Sequence, residues 1–403
     1  MKFSKLSQLF LVSAIGLILA TYLTACNIVT IDYVFVAASA SNTTGSDGQI
    51  YTYAADAETG ALRQGPATVS SGGTSPVAMA VSSDYYNLYV ANQGNNSVVH
   101  FSIADNGVLT KKDSITTSAE PVSLAVNAAG TYLYVVTGTS SATLTEYSLS
   151  SGTIGSSAAQ LALTVPGYAS DTIVPTAVTV LPDNDAVYVT AYDASAYNPG
   201  GAITSNANPG WLFGYAAGSS GALTAAAGSP YQAGVKPVAL ACDPTDRFVY
   251  VTDFASNELI GYGLQSGSAL NFLLNDPFKT GNEPTSVKID PRGIFIYVSD
   301  SLDSSISGYD IALPTGTPSA IVNSNSSLVY ATDTQPVAIA VDPALGRFVY
   351  TANHVGNSVS GFRLNPSTGV LTQTQATPYP TGSAPTALVL VPHGNHATQT
   401  VTP

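Results

Sequence analysis

Charged residues and cysteines are scarce in this sequence, and each shortage excludes a class of protein. Asp, Glu, Lys and Arg make up 9% of the 403 residues, compared with about 25% in ordinary soluble domains. Lys and Arg number only 12 and the net charge is −13, which argues against a nucleic-acid partner because clustered basic residues are needed to neutralise phosphates. Two cysteines exclude a disulfide scaffold and a cysteine-based zinc cluster. A hydrophobic content of 45% excludes a disordered chain.

The first 30 residues have the pattern of an export signal. Two lysines precede an apolar run over Leu9–Leu23, which is too short to span a membrane but suits the core of a signal peptide. The run ends in Leu-Thr-Ala followed by Cys26, which resembles the lipobox of bacterial lipoproteins. We therefore predict a signal peptide over 1–25, lipidation at Cys26, a short tether over 26–30, and an exported protein anchored to a membrane of the cell envelope. The alternative is an ordinary signal peptide in which Cys26 is incidental.

One pattern recurs along the rest of the chain at intervals of 45 to 62 residues. Each copy begins with a proline, continues with alternating small and large apolar residues, and then has a turn and a Tyr-Val pair. Strict alternation is typical of a β-strand with two different faces. Two further strand patterns follow in each copy, and four strands in a repeat of this length are typical of a propeller blade. The copies begin at Pro76, Pro121, Pro175, Pro237, Pro284, Pro336 and Pro385.

The two ends of the pattern predict how the ring closes. Pro385–Pro392 has the character of a first strand, whereas Tyr33–Val36 and Gln49–Tyr53 have the character of second and third strands with no first strand before them. Together they complete a seventh blade. We therefore predict an all-β, seven-bladed β-propeller of four-stranded antiparallel blades over 31–392, closed by N-terminal strands pairing with a C-terminal strand, with a tail over 393–403. A solenoid is the alternative, but closure removes exposed sheet edges.

The ends of the second strands resemble a known repeat. The segments Tyr89–Asn92, Tyr250–Asp253 and Tyr350–Asn353 read YVAN, YVTD and YTAN, which are similar to the YVTN repeat. The chain after Cys26 as a whole resembles the lactonase-type seven-bladed propeller family, whose best known enzymes hydrolyse 6-phosphogluconolactone. These motifs specify the propeller strongly and the chemistry weakly, because they are strand and turn residues.

The resemblance implies His and Arg at the starts of the first strands, where they would bind a carboxylate or phosphate and assist ring opening. This sequence departs from that pattern. Arg247, Arg292 and Arg347 fall instead in the turns between first and second strands, at the opposite end of the blades. The catalytic residues are therefore left unassigned, with His354, and after it His100, as the weak candidates for a base. None of the first-strand positions is basic: they are Val77, Val122, Thr176, Val238, Thr285, Val337 and Thr386.

A polar ring is predicted at one end of the central channel. In a propeller, the loops that enter each first strand and those that leave each second strand share one face. The ring predicts a ligand site, or a calcium site at Asp253, Glu283 and Asp300. The alternative is turn chemistry, because Asn and Asp often occupy turns and cap strand ends. The ionisable residues of this ring are Glu120, Lys236, Asp253, Glu283, Asp300 and His354.

Two first-strand residues differ from their counterparts in the other copies. Lys288 occupies a position that is Ala, Thr or Val elsewhere, and a lysine on an inner strand needs a partner or water. We predict that it lines the channel and pairs with Glu283 or Asp300, and a solvated lysine is the alternative. Cys242 occupies a position that is Val or Ile elsewhere, which predicts a buried thiol.

These observations predict a monomeric binding or surface-interaction module with an envelope protein or a carbohydrate as its ligand. The alternative is a lactone hydrolase that acts on 6-phosphogluconolactone or on an uncharged exported lactone. The net charge of −13 disfavours an anionic substrate. The longest insertion, Tyr192–Pro209, is predicted to lie on the face of the polar ring, as a functional loop or as a plug over the channel.

Overall fold

Seven antiparallel β-sheets stand around a central channel, which confirms the predicted seven-bladed propeller. The computed structural model describes residues 29–39, 46–138, 142–167, 171–197, 209–218, 221–323 and 325–401. The predicted signal peptide and Cys26 lie outside these ranges, as does most of the Tyr192–Pro209 insertion. Within the described ranges, no helix has the length and apolar character that crossing a membrane requires.

In blades 1 to 6, the first four strands follow one another in the chain from the channel outwards. The N-terminal strands are β1 (Thr30–Ala38), β2 (Gln49–Asp56), β3 (Leu62–Gln64) and β4 (Val69–Ser70). Blade 1 contains β5 (Pro76–Val81), β6 (Asn87–Asn92), β7 (Ser97–Ile103) and β8 (Leu109–Thr116), with a 3-10 helix over Gln93–Asn95. Blade 2 contains β9 (Pro121–Val126), β10 (Tyr132–Thr137), β11 (Thr143–Ser150) and β12 (Thr153–Ala162). Blade 3 contains β13 (Ile173–Val180), β14 (Ala186–Asp193), β15 (Gly210–Ala217), β16 (Leu223–Ala225) and β17 (Tyr231–Gln232).

The remaining blades repeat this order. Blade 4 contains β18 (Pro237–Cys242), β19 (Phe248–Asp253), β20 (Glu258–Leu264), β21 (Leu270–Phe272) and β22 (Phe278–Lys279), with a 3-10 helix over Ser266–Ser268. Blade 5 contains β23 (Pro284–Ile289), β24 (Phe295–Asp300), β25 (Ser305–Ala312), β26 (Thr317–Ala320) and β27 (Val329–Ala331). Blade 6 contains β28 (Pro336–Val341), β29 (Phe348–Asn353), β30 (Ser358–Leu364), β31 (Leu371–Gln373) and β32 (Tyr379–Pro380). The chain ends with β33 (Pro385–Pro392) and a 3-10 helix over Gly394–Thr398.

Blade 7 combines both ends of the chain, as predicted. Its strand order is β3-β2-β1-β33, so the C-terminal strand supplies the channel-lining position. In its register, Phe35 of β1 lies opposite Val389 of β33. The first strands contact one another in the order β5, β9, β13, β18, β23, β28 and β33, and β33 contacts β5 again. The ring is therefore closed by a blade that neither terminus could form alone.

The proline that begins each repeat also sets its register. Pro76 lies opposite Asn92, and the pairing then skips one residue so that Ala78 lies opposite Ala91. The same shift follows the proline in all seven described blades. Proline has no N–H to donate to a ladder, and a bulge beside it is an ordinary solution.

The tyrosine of each repeat fastens one blade to the next. In the second strand of blade 4, the buried Tyr250 donates its hydroxyl to Gly316 O in blade 5 at 2.6 Å. The equivalent hydroxyls of blades 1, 3, 5 and 6 donate to a carbonyl of the following blade at 2.6 to 2.8 Å. In blade 7 the position is Phe35, which has no hydroxyl. The tyrosines of this series are Tyr89, Tyr134, Tyr188, Tyr250, Tyr297 and Tyr350.

Two features were not apparent from the sequence. The short strands β4, β17, β22, β27 and β32 pair with the third strand of their blades, and segments of two or three residues have too few positions to show a period. The segment predicted as a tail folds back on the propeller: His393 donates its N–H to Ile31 O at 2.7 Å, and His396 is buried.

Candidate functional site

The two ends of the channel have different connections, and we name them accordingly. The loop face carries the loops that enter the first strands and leave the second strands. The hairpin face carries the turns that join first strands to second strands. On the loop face, the residue after a second strand donates its N–H to the carbonyl of the residue before the first-strand proline. These pairs are Gln93 with Ser75, Gly138 with Glu120, Phe254 with Lys236, Ser301 with Glu283, His354 with Gln335 and Ser39 with Ala384, at 2.8 to 3.3 Å.

Three ionisable side chains of the predicted ring lie in consecutive blades of the loop face. Lys236 belongs to blade 4, Glu283 to blade 5 and His354 to blade 6, and all three are half-buried. We call these three residues the polar rim. Glu120, in blade 2, is exposed and lies two blades from Lys236. The polar rim therefore places a cation, a carboxylate and an imidazole in three successive blades of the loop face.

His354 is held in one tautomer by the neighbouring blade. Its Nδ1 lies 3.0 Å from Pro385 O, at the start of the blade 7 first strand. A carbonyl oxygen only accepts, so Nδ1 carries the proton and the lone pair of the neutral ring is on Nε2. Among the described residues, no group hydrogen-bonds to Nε2. The imidazole is thus oriented as a proton acceptor at the rim of the channel.

Lys236 lies in an aromatic cage. Its Nζ is 4.9 Å from the ring centroids of Tyr197 and Phe254 and 5.5 Å from that of Tyr192. Burial lowers the pKa of Lys236, and the carboxylate of Glu283 acts in the opposite direction. Cation–π contacts of this kind stabilise an ammonium group and fix its position. The cage was not predicted, although Phe254 directly follows Asp253 and Tyr192 opens the long insertion.

Glu283 is positioned by a turn with left-handed backbone. Its φ is 54°, a conformation that reverses the chain into the first strand and is uncommon for a residue with a side chain. Its N–H donates to Asn257 Oδ1 at 2.8 Å, and the Ser301 hydroxyl donates to its Oε2 at 3.4 Å. Glu283 is therefore tied to blade 4 through its backbone and to blade 5 through its carboxylate.

Asp253 and Asp300 occupy the same position in neighbouring blades and are fully buried. Asp253 accepts from the N–H groups of Val235, Lys236 and Ala255 at 2.7, 2.9 and 3.1 Å. Asp300 Oδ2 accepts from the Ser307 hydroxyl at 2.7 Å, and Oδ1 has no hydrogen-bond partner. Burial raises the pKa of Asp300 from 3.8 to about 7. Both carboxylates are thus engaged within the loops of their own blades.

The predicted calcium ligands do not come together. Among the described residues, one group of three or more His, Cys, Asp and Glu side chains brings its ligand atoms within 4.8 Å of one another, and that group lies elsewhere in the molecule. It contains none of Asp253, Glu283 and Asp300.

Lys288 opens toward the hairpin face. It is the fifth residue of β23, so about 16 Å of strand separates it from Glu283. Its side chain is exposed in a cavity of about 450 Å³ at the hairpin end of the channel. In the described part of the chain it makes no hydrogen bond or ion pair, so the predicted pairing with Glu283 or Asp300 is not observed. Although the side chain is open to this cavity, the surrounding walls limit its hydration and so lower the pKa of Lys288. The walls of the cavity include Met79, Val81, Cys242, Ile289, Val341 and Val389.

The other residues singled out in the sequence have structural partners. Arg247 contacts Asp243 at 2.7 Å and Arg292 contacts Asp290 at 2.5 Å, both on the hairpin face. The ring nitrogens of His100 contact Asp113 at 2.8 Å and Asn87 at 2.9 Å, so this buried imidazole has no free nitrogen. The free thiol of Cys242 has its pKa raised by burial.

The family resemblance implies basic residues at the second position of the first strands. In this chain three of these positions are threonines, and each threonine joins its blade to the next. Thr176 donates its hydroxyl to Pro237 O at 2.8 Å, linking blade 3 to blade 4. Thr285 and Thr386 make the same bond to Pro336 O at 2.9 Å and to Pro76 O at 2.7 Å. The remaining positions are valines. These first-strand positions therefore supply no ionisable group to the mouth, and its ionisable groups come from the loop residues.

Comparisons with known proteins agree with this architecture. Residues 46–170 and 269–390, more than half of the chain, match the family model described as lactonase, 7-bladed beta-propeller. The structure is similar to a periplasmic gluconolactonase of Pseudomonas aeruginosa, with a TM-score of 0.72, 16% identity, and coverage of 90% of this chain and 99% of that one. It is also similar to putative 6-phosphogluconolactonases of Bacteroides fragilis (TM-score 0.70, 17% identity, 91% and 99% covered) and Bacteroides uniformis (TM-score 0.72, 18% identity, 90% and 100% covered). The sequence has no significant match among curated proteins.

Proposed function

Because the chain belongs to the lactonase family of seven-bladed β-propellers, we propose that it hydrolyses a lactone at the loop face and that this lactone is uncharged. The observation that carries the proposal is the fixed tautomer of His354, whose Nε2 lone pair has no hydrogen-bond partner among the described residues. Family membership favours hydrolysis over the binding module that the sequence first suggested.

The polar rim supplies the groups that ester hydrolysis needs. His354 Nε2 accepts a proton from a water molecule, whose oxygen attacks the lactone carbonyl. The Lys236 ammonium, fixed by its aromatic cage, stabilises the oxyanion of the tetrahedral intermediate. When the intermediate collapses, the ring oxygen leaves and receives the proton from His354, which gives a hydroxy acid. Glu283 holds a negative charge beside Lys236 and favours its protonated form.

Charge selects the substrate. The chain has a net charge of −13, and the mouth has one lysine against Glu120 and Glu283. The first-strand positions carry Thr and Val, with no guanidinium for a phosphate. The gluconolactonase that this structure resembles is periplasmic, which is in keeping with an exported enzyme and a substrate that lacks phosphate.

The decisive assay compares two substrates. We expect the purified protein to hydrolyse D-glucono-1,5-lactone faster than the spontaneous reaction measured with heat-inactivated protein. We expect 6-phosphogluconolactone to hydrolyse at the spontaneous rate. Faster turnover of the phosphorylated lactone would contradict the charge argument.

A second candidate uses the same mouth without turnover. Tyr192, Tyr197 and Phe254 form an aromatic surface beside polar groups, which suits a carbohydrate. If neither lactone is hydrolysed, and gluconate or an oligosaccharide binds with an affinity that Phe254→Ala reduces, the protein is a binding module.

We also propose that Cys26 is lipidated and that the protein is monomeric and held at the cell envelope. The supporting observation is the order of lysines, apolar run and Leu-Thr-Ala-Cys in the sequence. In detergent phase partitioning, wild type and the control Cys242→Ser should enter the detergent phase. Cys26→Ser should remain in the aqueous phase, and identical partitioning of all three would refute the anchor.

A further inference from the structure

Three buried side chains meet where the two ends of the chain are joined to blade 6. Asp32 lies on β1, Asp342 directly follows β28, and His396 lies in the 3-10 helix after β33. One ligand atom from each lies within 4.8 Å of the others. This cluster includes no residue of the polar rim. It lies beside β1 and β33, the strands that close the ring.

Asp32 has no hydrogen-bond partner in this cluster. Its side chain is fully buried, and neither carboxylate oxygen receives a hydrogen bond from any described residue. Its Oδ1 is directed at His396 and lies 3.5 Å from Nε2. Buried polar atoms are nearly always satisfied, and an unsatisfied carboxylate points to a missing cation or donor.

Both ring nitrogens of His396 face hydrogen-bond acceptors. Nδ1 lies 2.9 Å from Gln399 Oε1 and Nε2 lies 2.9 Å from Asp342 Oδ1, so each nitrogen donates its N–H in the metal-free protein. Nε2 also lies 3.5 Å from Asp32 Oδ1, and a metal ion that replaced the Nε2 proton would face both carboxylates while Nδ1–H still donates to Gln399. Metal-binding histidines are commonly oriented in this way by an acceptor on the other nitrogen.

Blades 4 and 5 also have an aspartate at the position of Asp342, directly after the first strand. In blades 4 and 5, the aspartate after the first strand contacts an arginine of the same turn, at 2.7 Å for Asp243 and Arg247. The blade 6 turn is longer and places Arg347 five residues after Asp342. The backbone N–H of Arg347 donates to Asp342 Oδ2 at 3.0 Å, while its guanidinium lies over the Phe348 ring. In blade 6 an imidazole contacts the aspartate instead, and Asp32 adds a second carboxylate.

We propose that Asp32, Asp342 and His396 bind a divalent transition-metal ion, for which zinc is the best fit. The ion would fasten the N-terminal strand and the C-terminal helix to blade 6. One imidazole nitrogen and two carboxylate oxygens are zinc ligands, whereas calcium takes six to eight oxygens. Tetrahedral zinc bonds of about 2.1 Å place ligand atoms roughly 3.4 Å apart, which is close to the 3.5 Å between Nε2 and Asp32 Oδ1. The 2.9 Å contact with Asp342 would lengthen by about 0.5 Å.

The test measures metal content and thermal unfolding of the full chain. The protein is stripped with a chelator, dialysed, and unfolded with and without saturating zinc, and bound zinc is counted by elemental mass spectrometry. We expect one zinc per chain and a melting temperature about 3 °C higher with zinc, because the ion binds only the folded state. Asp32→Asn and His396→Gln should lose both effects, and the control His393→Gln, three residues earlier in the same segment, should keep them.

Several outcomes would overturn the proposal. Wild type without stoichiometric zinc and without a zinc-dependent shift would refute it, even if every variant failed to fold. An equal zinc shift in wild type and Asp32→Asn would place the ion elsewhere. A metal-free Asp32→Asn protein that melts above wild type, together with no zinc effect on wild type, would mean that the cluster is a proton-sharing network.

Discussion

The loop face and the hairpin face are built from the same repeat, yet their charged groups differ in what they contact. On the hairpin face, the turn aspartates of blades 4 and 5 are paired with arginines, Asp243 with Arg247 and Asp290 with Arg292, and the exception is Lys288. On the loop face, His354 Nε2 has no hydrogen-bond partner among the described residues, and Lys236 contacts aromatic rings within the electrostatic reach of the Glu283 carboxylate. The comparison teaches that one end of the repeat stabilises the ring while the other is available for chemistry.

We expect the largest effect on stability from the ionisation of Asp300 on the loop face. Its carboxylate is buried, and one of its oxygens has no hydrogen-bond partner among the described residues. Its pKa is about 7 in the folded protein and near 3.8 unfolded, so the protonated form stabilises the fold. This contribution, roughly 4 kcal/mol at most, is complete below pH 4 and is lost as the pH rises through 7. Asn is present at the same position in blades 1 and 6, so Asp300→Asn should fold. Urea unfolding between pH 4 and pH 8 should show a flatter pH dependence for this variant than for wild type, and parallel profiles would contradict the assignment.

A smaller loss is expected on the hairpin face from Asp243→Ala. This carboxylate accepts from Arg247 Nε at 2.7 Å and from the Thr245 hydroxyl at 2.8 Å. Because part of Arg247 is exposed to solvent, the cost is about 2 kcal/mol rather than that of a fully buried pair. Urea unfolding should show this loss, while Asp310→Ala, which removes an exposed aspartate, should change stability by less than about 0.5 kcal/mol. If neither variant lowers the lactonase rate, the result supports the separation of the two faces.

The sequence predicts a feature when the residues that determine it lie close together in the chain, and it does not when they lie far apart. The Pro and Tyr-Val pattern predicted the blades and their closure, because a strand's two faces are encoded in neighbouring residues. It placed Lys236, Glu283 and His354 on the loop face, since topology alone decides the end of a blade. It did not predict that Asp253 and Asp300 turn into their own loops, because that depends on the path of the backbone. The cluster of Asp32, Asp342 and His396 joins segments from three parts of the chain, and no local pattern marks it.

The smallest expected effect concerns the contacts that both faces share. Tyr250→Phe removes the 2.6 Å hydrogen bond to Gly316 O between blades 4 and 5. Phe35 shows that a phenyl ring fits the position, so the loss should be about 1 kcal/mol, that of one buried hydrogen bond. The matched control is Tyr86→Phe. Tyr86 is 58% exposed, so removing its hydroxyl should leave the free energy of unfolding unchanged. A loss above about 3 kcal/mol would mean that the ring itself, rather than the hydroxyl, repacks.

The most direct test of the account compares one residue from each mouth of the channel. The value of kcat/KM for D-glucono-1,5-lactone is measured for wild type, His354→Gln on the loop face and Lys288→Met on the hairpin face, with circular dichroism as the folding control. Loss of a general base lowers the rate by about 100-fold or more, so His354→Gln should fall by that factor while Lys288→Met stays within about twofold of wild type. Full activity in His354→Gln together with inactive Lys288→Met would place the chemistry at the opposite end of the channel and contradict the account.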